Sequence, residues 1–383
     1  MKAIDVQPVV DWLIGGAKPA ADGRQWFSLV CRRMLDCGLR LHRVAIFVRP
    51  LHPNVAAHAF YWRQDRDEVE QNDEGHDFLG TEEHLTSPIH AVRTTRREIR
   101  RRLGQPGTAI DYPVLEDLRR DGITDYLITP LEFLNGEVHA MSFATRSADG
   151  FSDAEIAALR RLVPALTRIA EIYGLTRKAR NILEAYLGRD AGAKVLQGQI
   201  RRGDAEQMRA VIWFCDLRDS TPLADALGAR GFLALLNEYF ESVLGPVLER
   251  DGQVLRFIGD AALAIFPVGA DAAGAATRAV DAARDAIARM DKLNQNRRPP
   301  LRFGIGLHLG EVLYGNAGTP TRIEFTVIGA AANEAARIEA LCKTLDAQLL
   351  VSEALAKQTG HAWRSLGRHQ LRGVGEAMEL FTL

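Results

Sequence analysis

Two apolar runs, each leading to an aspartate, constrain this chain more than any other feature of the sequence. The run Val211–Cys215 leads directly to Asp216, and a second run leads through Arg256–Ile258 and Gly259 to Asp260. Such runs predict buried strands, and a carboxylate beside a buried strand is unfavourable unless a cation or hydrogen-bond donors compensate its charge. On neighbouring strands, the two aspartates would form a dianionic pocket suited to a hard divalent ion such as Mg²⁺.

The segment after Asp216 predicts the start of a helix, with Ser220 or Thr221 as the N-cap and Pro222 at the first helical position. A helix N-terminus offers free backbone N–H groups to a phosphate. Together with the carboxylates, this helix start indicates nucleoside triphosphate chemistry. Either aspartate alone is typical of a cap or a turn, and a Gly-Asp pair is typical of a hairpin, so the interpretation depends on both.

Composition excludes several classes of protein. The chain has 383 residues, of which 47% are hydrophobic and 25% charged, which is typical of globular domains and long enough for two of them. With 48 basic and 49 acidic residues, it has no overall positive charge that would indicate a nucleic-acid partner. The 4 cysteines form no CxxC pair, which argues against a zinc site or a disulfide framework.

Neither a signal peptide nor a membrane span is predicted. No apolar run reaches the length of a transmembrane helix, and the N-terminal residues lack the apolar core of a signal peptide. We therefore expect a soluble, cytoplasmic protein with no membrane partner, an expectation that the sparse cysteines also favour.

Residues 1–172 predict an α+β domain. Arg43–Val48 is expected to form a strand, and Tyr126–Thr129 and Val138–Phe143 two more strands around an Asn-Gly hairpin turn. Ser152–Glu155 is a capping box that opens an amphipathic helix. This strand–hairpin–helix order resembles a GAF domain, which implies a sensory role with an unknown small ligand at the N-terminal domain.

Charged and histidine-rich parts of this domain are expected to be ordinary surface. The basic run Arg93–Arg102 contains an acidic residue and no aromatic residues, which is typical of a solvated face rather than a nucleic-acid site. The scattered histidines, His90 among them, are expected to be exposed or to have hydrogen-bond partners. Residues 173–207 predict a helical connector that is too short and too often interrupted by glycine for a coiled coil.

Residues 208–383 alternate strands and helices, which predicts an α/β sandwich with a mixed sheet rather than a regular parallel repeat. We expect a hairpin at 253–266, a helix near 271–293, and a second hairpin joining Leu301–His308 to Glu311–Asn316. The glycines at 304, 306 and 310 have the wrong spacing for dinucleotide binding and open no helix.

Four motifs in this half occur in an order that closely resembles the catalytic domain of class III nucleotidyl cyclases, the adenylyl and guanylyl cyclases. They are Phe214–Thr221, Phe257–Phe266, Gly304–Val312 and Thr326–Gly329. The resemblance implies a cyclase sandwich with a mixed, ferredoxin-like sheet. It also implies attack of the ribose 3′-oxygen on the α-phosphorus of a nucleoside triphosphate, with two Mg²⁺ or Mn²⁺ ions per site.

The resemblance implies roles for individual residues. Asp216 and Asp260 match the metal ligands, Asn333 matches the residue that orients the ribose, and Arg337 matches the residue that stabilises transition-state charge. Arg372 lies where the family usually has a phosphate-binding lysine, and arginine keeps that positive charge. After Gly329, three alanines replace the aspartate that often follows in the family, which removes a helix cap.

Arg256 and Thr326 match the positions that select the base. Arg256 only donates hydrogen bonds, which suits the acceptor N1 of adenine, and Thr326 accepts from the adenine amino group. Guanine presents donors at N1 and its 2-amino group, which arginine does not satisfy, although guanine O6 accepts from arginine. We therefore expect an adenylate cyclase that makes 3′,5′-cyclic AMP from ATP.

In the resembled family, the aspartates of one subunit meet the other site residues of a second subunit. This implies a head-to-tail homodimer with two shared sites, controlled through the connector and the N-terminal domain. Two alternatives stay open at this point. One is a guanylate cyclase, and the other is a catalytically degenerate module that binds a nucleotide or a partner.

Overall fold

The computed structural model describes residues 4–66 and 68–383. The described chain divides into a first compact unit that ends at Ala185 and a second unit, Tyr186–Leu383. No helix in these two described ranges has the length and apolar character needed to cross a membrane.

The described part of the first unit contains six helices, one short 3₁₀ turn and six strands. The elements are α1 (Gln7–Ile14), α2 (Gly23–Asp36), β1 (Arg43–Val48), β2 (Ala57–Arg63), β3 (Glu70–Glu74), the 3₁₀ turn His76–Gly80, α3 (Glu82–Leu85), α4 (Pro88–Thr95), β4 (Ile99–Arg101), α5 (Pro113–Arg120), β5 (Asp125–Glu132), β6 (Val138–Thr145) and α6 (Asp153–Leu187).

The strands of this unit form one antiparallel sheet in the order β3-β2-β1-β6-β5-β4. Helices α1, α2 and α6 bury their apolar faces on one side of the sheet, and α4 and α5 cover the other. The predicted strands of the hairpin correspond to β5 and β6, and Gly136 in their turn has φ +84°, which glycine adopts without strain.

The predicted capping box at the start of α6 is confirmed. The Ser152 hydroxyl accepts from the backbone N–H of Glu155 at 3.3 Å, and the Glu155 carboxylate accepts from the backbone N–H of Ser152 at 2.8 Å. Glu155 also accepts from the backbone and the guanidinium of Arg40, at 3.1 and 2.9 Å. Its side chain is only 1% exposed. The carboxylate therefore joins the helix start to a residue far away in sequence.

The second unit contains the end of α6, five further helices and eight strands among the described residues. They are α7 (Arg189–Leu196), β7 (Ala205–Leu217), α8 (Ser220–Glu249), β8 (Gln253–Ile258), β9 (Ala261–Pro267), α9 (Ala272–Asn294), β10 (Phe303–Gly318), β11 (Ile323–Ile328), α10 (Ala330–Thr344), β12 (Leu349–Ser352), α11 (Glu353–Ala356), β13 (Arg364–His369) and β14 (Met378–Thr382).

The sheet of this unit has the order β13-β14-β12-β10-β7-β9-β8, with β11 paired to β10. It is mixed, as predicted, because β10 and β12 are parallel while the other pairs are antiparallel. Its central strands follow the ferredoxin-like order β10-β7-β9-β8, with α8 and α9 as the crossover helices. Helices α8 and α9 cover one face, and α7 and α10 pack on the other.

Three details of this unit differ from the sequence predictions. Strand β8 is not buried, because it forms one edge of the sheet, and Phe257 and Ile258 at its end are 58% and 45% exposed. The predicted hairpin between residues 308 and 311 is wrong, because β10 runs without interruption beside β7. Residues 197–204 form turns rather than the predicted helix, and Gly188, with φ +82°, separates α6 from α7.

Candidate active site

The two predicted metal-ligating aspartates meet at one end of the sheet. Asp216 lies one residue before the end of β7, and Asp260 lies in the turn between β8 and β9. Because Asp216 pairs with Ala261 across the β7–β9 ladder, the turn brings Asp260 beside it. Burial, and then the negative charge of Asp260, raise the pKa of Asp216 to about 6. The two carboxylates therefore repel each other, although their role as metal ligands stays a prediction.

This donor set fits a divalent cation that also binds substrate phosphates. No ion pair within the described ranges joins either aspartate to a basic side chain, so no basic side chain there neutralises their charge. The described residues also contain no group of three or more histidine, cysteine or acidic side chains that would enclose a metal ion. Two carboxylates with water and phosphate oxygens satisfy Mg²⁺. The residues present therefore fit the implied ion.

A third carboxylate, which sequence analysis missed, lies behind this pair. Glu339 on α10 is 7% exposed, and a Cβ atom at Gly304 would lie 2.5 Å from its Oε1 atom. Gly304 is itself the ladder partner of Asp216. Burial, and then the charge of Asp216, raise the pKa of Glu339 to about 7. The one sequence signal for this carboxylate is Gly304, because only a residue without a side chain leaves room for it.

Helix α10, which carries Asn333 and Arg337, packs closely on β10. A Cβ atom at Gly306 would lie 2.5 Å from the Glu339 nitrogen, and one at Gly310 would lie 2.5 Å from the Ala331 Cβ. These glycines, with Gly304, occupy alternate positions of β10 and therefore share one face. They allow α10 to pack closely on the strand, which is a structural role and not a dinucleotide-binding one.

The start of α10 lacks a side-chain cap, as the three alanines after Gly329 predicted. A side chain of β10 contacts this end of the helix instead, because Nε2 of the buried His308 lies 2.9 Å from a carboxylate oxygen of Glu334. Burial lowers the pKa of His308, although Glu334 acts in the opposite direction. Asn333, the neighbour of Glu334, is exposed at the surface of the unit.

The structure brings the predicted Arg337 close to the turn that contains Arg372. A Cβ atom at Gly373 would lie 3.5 Å from both terminal nitrogens of the Arg337 guanidinium. Arg372 is the preceding residue and is exposed. Arg337 therefore lies beside the turn that carries Arg372.

The predicted base-selecting residues also come together, and with them a residue that sequence analysis missed. The guanidinium of Arg256 on β8 forms an ion pair with Glu324 on β11, two positions before Thr326. Glu324 and Thr326 therefore share one face of β11. Thr326 is 5% exposed. Arg256 thus already has a carboxylate partner within its own chain, which the sequence did not predict because the two residues are far apart in it.

The helix after Asp216 begins two residues before Pro222, the predicted first helical position, so neither Ser220 nor Thr221 is its N-cap. Helix α8 begins at Ser220, so Asp219 occupies the N-cap position, with φ +57° and no side-chain cap. Its carboxylate instead pairs with Arg302 at 2.7 Å and Lys343 at 3.2 Å. Ser220 and Thr221 lie in the first turn, where they remain candidates for phosphate binding. The helix is interrupted at Gly228, which has non-helical angles.

Comparison with known proteins finds a family that the second unit resembles. Residues 204–383 match the family model described as the Adenylate and Guanylate cyclase catalytic domain. An uncharacterized protein of Mycobacterium tuberculosis is 34% identical over 207 residues, which are 53% of this chain and 36% of that protein. An uncharacterized protein of Mycobacterium bovis is 35% identical over 214 residues, 53% of this chain and 37% of that protein. The chain thus spans about a third of the length of these relatives.

Solved structures of adenylyl and guanylyl cyclases are similar as well. A bacterial light-regulated adenylyl cyclase is 29% identical with a TM-score of 0.42, and the match covers 46% of this chain and 91% of that one. The guanylyl cyclase Cya2 is 25% identical with a TM-score of 0.41, over 46% of this chain and 92% of that one. By the family match, residues 204–383 are similar to the catalytic domain of adenylate and guanylate cyclases.

Proposed function

We propose that this chain is an adenylate cyclase, which converts ATP to 3′,5′-cyclic AMP and pyrophosphate. The observation that carries the proposal is the uncompensated pair Asp216 and Asp260 within the segment that matches the cyclase family. In this reaction the ribose 3′-oxygen attacks the α-phosphorus, and pyrophosphate leaves. A dianionic site at the end of a sheet suits a reaction in which phosphate charge has to be neutralised.

Each site residue would have a separate role in the reaction. Asp216 and Asp260 would hold Mg²⁺ or Mn²⁺, two ions per site, which when bound neutralise triphosphate charge and favour ionisation of the 3′-hydroxyl. Asn333 would orient the ribose, and Arg337 would donate hydrogen bonds to oxygens that gain charge in the transition state. Arg372 would contact the terminal phosphates. Ser220 and Thr221, at the start of α8, would offer further donors.

We propose a head-to-tail homodimer in which each site uses two copies of the chain. Two features support this arrangement. Within the described chain, no ion pair joins the aspartates to Arg256, Arg337 or Arg372, although the reaction needs both charges at one substrate. Moreover, the apolar side chains of Phe257 and Ile258 are exposed directly beside Asp260, which is typical of a surface covered by a partner.

The choice of ATP depends on Arg256 and Thr326. In the structure, Glu324 holds the Arg256 guanidinium in an ion pair two positions from Thr326, and this limits where Arg256 donates. Thr326 remains able to accept a hydrogen bond from the adenine amino group.

Glu324 also favours a second candidate, guanylate cyclase. A carboxylate accepts hydrogen bonds from the N1 and 2-amino donors of guanine, while Arg256 donates to guanine O6. We favour ATP because the ion pair engages that carboxylate and leaves Thr326 as the available acceptor.

We further propose that the first unit is a GAF-like regulatory domain with a small ligand of its own, followed by the connector 173–207 and the catalytic domain 208–383. An antiparallel sheet covered by helices on both faces supports a sensory fold of this kind. Within the second unit, Ala191 of α7 packs on the face that α10 also covers, so movement of the connector would reach the site residues. A cytoplasmic location is proposed because none of the 4 cysteines forms a disulfide.

The test is nucleotide turnover by the full-length protein with ATP or GTP and with Mg²⁺ or Mn²⁺. We expect cyclic AMP to be the main product and Asp216→Ala to lower turnover by at least about a hundredfold. Asp225→Ala, which removes an exposed carboxylate of α8, is the matched control and should retain activity. Preferential turnover of GTP would establish the guanylate cyclase instead. Nucleotide binding without turnover of either substrate would identify a degenerate module.

A further inference from the structure

The first unit contains a basic cluster that neither the cyclase family nor the proposed reaction uses. It consists of Arg49 just after β1, His84 on α3, and His90 and Arg93 on α4. The rings of His84 and His90 are 5.5 Å apart. Burial, and then the neighbouring His90, Arg49 and Arg93, lower the pKa of His84, so these three groups lie close to it. All of them belong to one compact unit.

Several donors of this basic cluster have no partner among the described residues. Nε of Arg49 and Nε2 of His84 are both buried without a hydrogen bond, and His84 as a whole is only 4% exposed. Arg93 donates through Nε to the Val138 carbonyl at 2.9 Å, which leaves its terminal nitrogens with no bond to a described group. Buried donors without acceptors are costly, and a bound acceptor at this place would remove that cost.

The positive charge of the basic cluster is only partly compensated by the protein. Burial, and then the charge of Arg49, lower the pKa of Arg93 to about 10. The carboxylate of Glu137 acts on both arginines, but it is already bonded to Lys178 and lies 3.3 Å from Nε2 of His139. His139 is itself neutral, because burial lowers its pKa to about 4. The cluster therefore keeps a net positive charge.

Other arginines of the same unit show what a compensated arrangement looks like. Arg100 pairs with the buried Asp125 at 2.6 Å, and Arg101 pairs with Asp111. The expectation that Arg93–Arg102 is a solvated face was therefore wrong for Arg93, Arg100 and Arg101, which are half-buried. Arg100 and Arg101 have carboxylate partners, and Arg93 belongs to the basic cluster. Arg49 and Arg93 form no such ion pair with a carboxylate of the described chain.

We propose that the basic cluster binds a phosphate-bearing small molecule, with Arg49 and Arg93 contacting the phosphate oxygens and His84 and His90 donating further hydrogen bonds. Guanidinium groups bind phosphate with charge-assisted, often bidentate hydrogen bonds. Donors that converge from two helices and a strand end suit a tetrahedral group with three acceptor oxygens better than a planar carboxylate. The inference concerns the first unit and goes beyond the cyclase reaction.

The experiment measures binding of inorganic phosphate to the full-length protein in EDTA, without nucleotide, by calorimetry and by thermal unfolding at constant ionic strength. Acetate and sodium chloride are the comparison anions. We expect phosphate to bind and to raise the melting temperature, and Arg93→Gln and Arg49→Gln each to weaken binding at least about tenfold. Arg97→Gln, which removes an exposed arginine just beyond α4, is the matched control and should bind like the wild type.

The two variants also separate a binding role from a structural one. Because Arg49 and Arg93 repel each other, Arg49→Gln should melt no lower than the wild type in the absence of phosphate, since its Nε forms no bond that would be lost. An equal phosphate response in all four proteins would place phosphate elsewhere and overturn the proposal. A response to acetate as large as that to phosphate would overturn the assignment of ligand class. The phosphate measurements do not depend on nucleotide turnover, so a protein without cyclase activity would still test this proposal.

Discussion

Replacing Asp260 by asparagine should stabilise the metal-free protein while removing the proposed cyclase activity. Burial and the neighbouring Asp260 charge raise the pKa of Asp216 from 3.8 to about 6. A rise of about 2 in pKa corresponds to about 3 kcal/mol against the charged form. Because Asp216 is half-buried and burial is the larger cause, we assign about 1 kcal/mol to Asp260 after allowing for solvent screening.

The pH dependence has a definite sign. An acid whose pKa is raised by folding binds its proton more tightly in the folded state, so stability falls as pH rises from about 4 through about 6. Above pH 6 the full penalty is present. In EDTA at pH 7.5, Asp260→Asn should therefore melt about 2–4 °C above the wild type, which corresponds to about 1 kcal/mol for a unit of this size. The difference should disappear near pH 4.

The assay is thermal unfolding of wild type, Asp260→Asn and the surface control Asp225→Asn, each with EDTA or with Mg²⁺. Mg²⁺ should stabilise the wild type and the control but not Asp260→Asn, because the variant keeps only one carboxylate of the pair. The control should melt like the wild type at both pH values. A variant that melts below the wild type in EDTA at pH 7.5 would refute the reasoning that the two carboxylates repel each other.

Two further predictions concern stability and helix placement. Although burial acts against it, hydrogen bonds from Arg40 lower the pKa of Glu155 to about 2, so Glu155→Gln should cost about 2–3 kcal/mol at pH 7. That cost should disappear as pH falls from 4.5 towards 2 in denaturant unfolding, whereas the surface variant Glu98→Gln should cost under about 1 kcal/mol. Gly306→Ala should displace α10, costing about 1–3 kcal/mol and lowering turnover, because its Cβ would meet helix backbone at 2.5 Å. Gly360→Ala, with open space around it, should leave both stability and turnover unchanged, and a similar result for Gly306→Ala would contradict the packing argument.

Local patterns predicted the parts of the fold that depend on neighbouring residues. The capping box at Ser152 and Glu155 formed as predicted, because both partners lie within one helical turn. The sequence also placed Asp216 and Asp260 on neighbouring strands, and in the structure Asp260 directly precedes Ala261, the ladder partner of Asp216. The hairpin predicted at residues 308–311 failed for the opposite reason. Gly310 is typical of a turn, but in β10 it makes room for Ala331 of α10.

What only the tertiary structure decided is the partner of each charge. The sequence alone indicated the two aspartates, the strands that carry them and the helix of Asn333 and Arg337. It contained no indication that Glu324 would pair with Arg256, or that a buried Glu339 would occupy the space beside Gly304. The physical reason is distance along the chain. Local conformation depends on residues a few positions apart, whereas burial and charge pairing depend on which segments the completed sheet brings together.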